Sequence, residues 1–248
     1  KTLAPETAAP HEPVPDLHAL ASVAVLEDLR DAVATFNLAP PDPLPAPMTL
    51  WATFYYVPQF KSQPRGFAMR TLQGRPLGPR LERAQWCEAA MQGSVSIEGF
   101  GIVNYAGTRR NLEVDCRSIY PRHPAIGRSR FVIVEGDHGL GIGRKLLAHR
   151  SLAVDPDTVP MGAAVFIPAA RGVEIAGPSE TTFTHDGWFF AADRGGAIRG
   201  THVDVFMGFE RTNPFSFVNS REEPGFVAHV IEEGPVVDAL RGAHEPPP

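Results

Sequence analysis

The stretch AADRGGAIRGTHVDVFMG, residues 191–208, holds the two acids best suited to chemistry. Asp193 closes an aromatic run, and Gly195 and Gly196 follow in a turn where backbone can approach a ligand closely. Asp204 stands between Val203 and Val205 in a strand-like run. An acid among half-buried apolar neighbours is desolvated, which raises its pKa, and a second carboxylate across the turn raises it further. A carboxyl that keeps its proton near neutral pH can serve as a general acid. The structural alternative is that both acids only cap turns, as Asp commonly does.

Other chemistries find little support. The histidines are scattered, without HExxH or paired CxxC spacing, so no metal site is expected. GLGIGRK (139–145) has Leu146 where a phosphate loop needs a hydroxyl residue, and reads as a surface turn. No GxSxG elbow occurs. Cys87 and Cys116 fit either one disulfide in an oxidising compartment or two buried thiols. Cys87 lies on an expected helix among apolar neighbours, which suits a packing thiol better than a nucleophile.

These acids need a scaffold, and 248 residues with 43% hydrophobic content can build one. A net charge of -5 with both signs mixed argues against the basic face of a nucleic-acid binder. The longest apolar stretch, residues 162–170, contains a proline and falls short of the ~20 residues that span a bilayer. Prolines crowd both ends. Between them, in a Pro-rich segment covering 1–48, Asp16 can cap a packing helix with Leu20, Val23, Leu26, Leu29, Val33 and Phe36 on one face. Asn37 and Pro40 end it.

TLWATFYYVP (49–58) reads as a strand. A short helix is expected over 79–92, with Pro79 in its first turn and Gly93 at its stop. From Gly99 onward short β-like runs follow at 130–136, 163–168, 187–193, 202–206 and 226–231. Strands this short, without long helices between them, predict a mainly β barrel or sandwich. The main domain is placed at 49–232, with 59–129 as a smaller wall and 233–248 as a tail.

SLAVDPDTVPMGAAVFIP (151–168) followed by residues 191–208 resembles the 3D domain, named for three aspartates, here Asp155, Asp193 and Asp204. Upstream, ATFYYVP (52–58), RLERAQW (80–86), QGSVSI (92–97) and NYAGT (104–108) are similar, in order, to segments of the membrane-bound lytic transglycosylase A family. The closing FVAHVI resembles that family's last barrel strand. The resemblance covers roughly residues 50 to 232 and implies a double-psi β-barrel with a small second subdomain and a few short helices.

It also implies that Asp204 is the catalytic acid and that Asp193 beside it supports it. Tyr55, Tyr56, Gln92, Gly93, Ser94 and Tyr105 fall on segments that line the family's glycan groove, with Gly195 and Gly196 in the turn. Asp155, before Pro156, reads as a turn-former. The implied activity is cleavage of peptidoglycan glycan strands at the MurNAc-GlcNAc bond, giving 1,6-anhydroMurNAc without metal or cofactor. The implied location is extracytoplasmic (periplasm, outer-membrane lipoprotein or secreted), with any membrane anchor outside this chain. The start at Lys1 fits a removed export signal or a trimmed chain.

Arg194, Val95 and Val57 depart from the family pattern, and the stretch between Pro58 and Gly99 is shorter than the family's. Competing readings are a non-catalytic peptidoglycan-binding barrel and a hydrolytic muramidase with a second carboxylate, for which Glu98, Glu135, Asp137 and Asp186 are candidates. An unrelated β-sandwich interaction protein is the remaining one.

Overall fold

The computed structural model describes residues 28–29, 31–135, 139–177 and 181–245. The short apolar runs fold into strands β1 (Pro47–Tyr55), β8 (Ser151–Ala153), β9 (Ala164–Phe166), β12 (Trp188–Asp193), β13 (His202–Phe206) and β14 (Phe226–Ile231). These close into a barrel in the order β1-β13-β8-β12-β9-β14, the mainly β barrel that the sequence predicts. Closure leaves the barrel without an open sheet edge. β1 runs parallel to β13, and β8 to β12, while the remaining neighbours are antiparallel. Because side chains alternate along a strand, Leu50, Ala52, Leu152, Ala191, Val203 and Val205 share one core inside the barrel.

The smaller part is a sheet of β2 (Gln59–Phe60), β5 (Ser94–Ile97), β6 (Gly101–Thr108) and β7 (Ser129–Val134), in the order β2-β5-β6-β7. It therefore continues to Val134, past residue 129. A hairpin of β3 (Phe67–Arg70) and β4 (Pro76–Leu81) joins it, as does helix α1 (Arg83–Gln92). Pro79 lies in β4 rather than in the helix, which starts only after Glu82. There a reciprocal capping pair of Glu82 and Gln85 opens it. A two-stranded hairpin has only edge strands, so it tolerates proline. Gly93 ends α1 in the left-handed conformation at φ 83°, as expected.

Cys87 is buried on α1 but is not a free packing thiol: it is disulfide-bonded to Cys116. The bond ties the helix to the loop that precedes β7. A small β10 (Glu174–Ala176) and β11 (Thr182–Thr184) pair stands apart from both sheets.

Residues 28–29 and 31–34 are helical, and Phe36, at φ 56°, turns the chain out just before Asn37. The rest of the expected N-terminal helix lies outside the described residues. Its visible end is latched to the barrel through buried Arg150, which pairs with Asp186 at 2.8 Å and donates to the Val33 carbonyl at 3.0 Å. The guanidinium also lies 4.0 Å over the Phe36 ring. The stretch 233–248, expected only as a tail, carries helix α2 (Pro235–Ala243), which buries Val237, Ala239 and Leu240. No described helix is long and apolar enough to cross a membrane.

Candidate active site

Four strands set four residues side by side. Thr53 on β1 pairs with Asp204 on β13, and Asp204 pairs with Ala153 on β8. Ala153 in turn pairs with Asp193 on β12. Residues in register point to the same face of a sheet, so both carboxyls flank the small Ala153 side chain.

Asp193 reaches this face through a bulge. Ala191 pairs with Leu152, yet Asp193, two residues on, pairs with the very next residue, Ala153. The extra residue, Ala192, shifts the alternation by one. Were Ala192 paired in regular alternation, Asp193 would point with Ala191 into the barrel core.

Asp204 needs no such device. Val203 and Val205 face the core, and alternation turns Asp204 away from them. Its desolvation therefore comes from what covers the opposite face, not from its chain neighbours as the sequence pattern implied. The carboxyl is half-buried, and burial raises its pKa to about 7; the nearby Asp193 charge also raises it, while the Thr53 hydroxyl lowers it. Burial likewise raises Asp193 to about 6, against the backbone N–H groups of Arg194 and Ile142 and the Tyr55 hydroxyl.

Thr53 donates to Asp204 Oδ1 at 2.7 Å, and its oxygen lies 2.9 Å from His202 Nε2. With the hydroxyl proton given to Asp204, the oxygen is left to accept from His202. That imidazole stacks on Trp51, with ring centres 3.6 Å apart and planes 6° from parallel. Tyr55, on the same face as Thr53, makes a long 3.4 Å contact to Asp193. Burial pushes the Tyr55 hydroxyl well above its usual pKa, and both carboxylates add to the shift.

The acids lie in a groove of about 1340 Å³ between the barrel and the smaller part. Of the residues expected on its walls, Tyr55, Gln92, Gly93, Ser94, Tyr105, Gly195 and Gly196 line it, together with Asp193 and Asp204. Tyr56 does not. It follows Tyr55 and points the other way, where its hydroxyl donates to Glu88 at 2.7 Å. Gln92 and Ser94 are partly committed: the Gln92 side-chain oxygen accepts from the Tyr56 N–H at 3.0 Å, and the Ser94 hydroxyl bonds to Asn104.

Asp155 behaves as a turn-former. It accepts from the Gly200 N–H at 2.7 Å and the Asp157 N–H at 3.2 Å, bonds that lower its pKa. It thereby fastens its own turn to the one carrying Gly195 and Gly196.

The alternative carboxylates are not gathered here. Asp186 is held by Arg150, Glu98 pairs with Lys61 at 3.0 Å on the surface, and Glu135 is exposed. None of the three lines the groove. Asp137 lies outside the described residues. Among the described residues, no three His, Cys, Asp or Glu side chains group to hold a metal ion.

Several contributors escaped the sequence reading. Thr53 stands two residues before Tyr55, so strand alternation could have placed both on one face. His202 likewise stands two residues before Asp204 on one run, whereas Ala153 carries no such local signal. The 139–145 segment binds no phosphate by motif, yet Leu140, Gly141 and Ile142 form part of the groove wall. A Cβ on Gly141 would come within 2.7 Å of the Ala192 carbonyl and 3.0 Å of Asp193, which explains the glycine. Asn104 holds this segment to β6 by accepting from the Leu140 N–H at 3.2 Å and donating to its carbonyl at 3.0 Å.

Residues 150–213 match the family model of the 3D domain. That span includes the bulge, both acids and Ala153. No curated protein matches the sequence. Among solved structures, E. coli MltA with bound chitohexaose aligns over 75% of this chain and 72% of its own, with 14% identity and a TM-score of 0.52. A membrane-bound lytic murein transglycosylase from Agrobacterium tumefaciens aligns over 86% and 91%, with 15% identity and a TM-score of 0.49.

Proposed function

The chain carries a 3D domain in a fold shared with MltA, and from that premise we propose that it is a peptidoglycan lytic transglycosylase. The observation that carries this reading is Asp204, a half-buried carboxyl on a long groove with its pKa raised to about 7. At neutral pH a large share of such groups keep a proton that they can give away.

In the proposed reaction Asp204 protonates the glycosidic oxygen between MurNAc and GlcNAc. The resulting carboxylate then takes the proton from the 6-hydroxyl of the same MurNAc, which closes on the anomeric carbon as a 1,6-anhydro ring. Most glycosidases divide such work between two carboxyl groups. Here the nucleophile is tethered to the reacting carbon, an advantage that can reach an effective molarity of about 10⁵ M or more. Thr53 holds one oxygen of Asp204, leaving the other for the substrate. Asp193 supports the acid by keeping its pKa high, and the reaction as proposed needs neither metal nor cofactor. The disulfide fits an oxidising, extracytoplasmic compartment.

Purified peptidoglycan incubated with the protein should release soluble fragments ending in 1,6-anhydroMurNAc, read by mass spectrometry. Asp204→Asn should reduce that release by roughly 10²–10⁴-fold, the usual worth of a general acid and base, while leaving strand binding intact. An Asp204→Asn protein that keeps most of its activity would overturn the assignment. Reducing-end MurNAc would instead select a hydrolase, with Asp193 as the neighbouring second carboxyl. Retention on the wall without any release would select a binding barrel.

A further inference from the structure

Beside the groove, on the smaller part, lies a second hollow of about 730 Å³ lined by Arg109, Arg110, Arg128 and Arg130. Glu113 is the acid packed against it, already paired with Arg70 at 2.7 Å and Arg130 at 3.2 Å. Arg130 is buried and also donates to the Ser129 carbonyl at 2.8 Å and the Arg128 carbonyl at 3.1 Å, which fixes it in the wall. Arg109 spends its Nε on the Leu72 carbonyl at 2.8 Å. Arg110 and Arg128 are exposed, and neither forms a salt bridge among the described residues. With Arg109 and Arg130 held by the fold, the exposed guanidiniums of Arg110 and Arg128 are the pair left to take an anion at the hollow. Their planar forks match a carboxylate with two parallel hydrogen bonds.

Position says which anion. Thr108 and Ala125 line both this hollow and the groove, so the two adjoin. Arg122 and Arg194 also line the groove, alongside Asp155 and Asp157. A strand lying there carries, on each MurNAc lactyl group, a peptide bearing free carboxylates. We propose that the arginine hollow binds these stem-peptide carboxylates, so that the protein prefers peptide-bearing strands to bare glycan. The proposal rests on the glycan reading above and adds a specificity that the two acids cannot supply.

The test measures binding rather than turnover, using the Asp204→Asn protein so that strands stay intact. Three ligands are compared by co-sedimentation: amidase-stripped strands, peptide-bearing strands freed of wall polymers, and peptide-bearing strands that retain phosphodiester-linked polymers. Peptide-bearing strands should bind roughly three- to tenfold more tightly than stripped ones, the scale of two solvent-exposed charge pairs. Adding Arg110→Ser and Arg128→Ser, or raising salt to about 0.5 M, should erase that difference. Both side chains are exposed, and Arg109 and Arg130 are left in place to keep the loops anchored.

Equal affinity for stripped and peptide-bearing strands would overturn the proposal, as would a double variant that weakens both alike. Tighter binding confined to phosphodiester-bearing strands would also overturn it, assigning the hollow to phosphate. Failure to bind any strand is a different result and would remove the glycan reading as well.

Discussion

As the proposed acid, Asp204 would work only while protonated, so activity should fall as pH rises through its pKa of about 7. Its neighbours move that limb in opposite directions. The Asp193 charge raises the Asp204 pKa, so Asp193→Asn should bring the high-pH limb of kcat/KM to lower pH. Thr53 lowers the pKa by donating to the carboxylate, so Thr53→Val should carry the limb to higher pH. The sign follows from which form each neighbour favours: a negative charge disfavours ionisation, and a donated hydrogen bond favours it. Profiles of kcat/KM against pH for the two variants check this directly. Shifts in the same direction would mean that the acid is not Asp204, or that these contacts do not reach it.

The elements hold the two walls of the groove at different strengths. On the barrel side, register alone aligns Thr53, Asp204, Ala153 and Asp193, and every strand in that row has partners on both flanks. On the other side, Gln92, Gly93 and Ser94 stand where α1 passes into β5, and the Cys87–Cys116 bond fastens the same helix. The bond spans 29 residues of sequence, so by chain entropy its loss should cost about 3–4 kcal/mol. Pairing Cys87→Ala with Cys116→Ala should lower the urea midpoint accordingly, with thiol reductant doing the same to the parent protein. An unchanged midpoint would mean that the sheet and hairpin hold the smaller part without the bond.

Across the whole molecule, the Arg150–Asp186 pair joins the barrel to the end of the N-terminal helix. The two side chains are 2% and 3% exposed, and Asp186 also accepts from the Leu38 N–H at 2.9 Å. Removing one member leaves a buried charge without its partner, which typically costs about 3–5 kcal/mol. Asp186→Ala should therefore lower stability by that order in urea unfolding. The fraction still folded at low temperature should release anhydro products at the parent rate. A stable but inactive Asp186→Ala protein would return this residue to the list of reacting groups.

Much of this protein was legible in its sequence because much of it is local. Short β-branched and aromatic runs between glycines and prolines predicted five of the six barrel strands, β8 excepted, while the run at 130–136 went to the smaller sheet; β13 and β14 begin and end at the expected residues. Asp204, Asp193 and the Gly195-Gly196 turn stood out within one 18-residue stretch, and most of the expected groove residues came with the resemblance.

The tertiary structure decided what a period along one chain cannot express. It set Thr53 beside Asp204 and Trp51 beside His202 through β1–β13 pairing, and it made Ala153 the spacer between the acids. It chose the partner of Cys87, moved Pro79 into a hairpin and turned Tyr56 away from the groove. The bulge at Ala192 is the sharpest case. One unpaired residue moves Asp193 from the core face to the groove face, and only the register against β8 reveals that it is there.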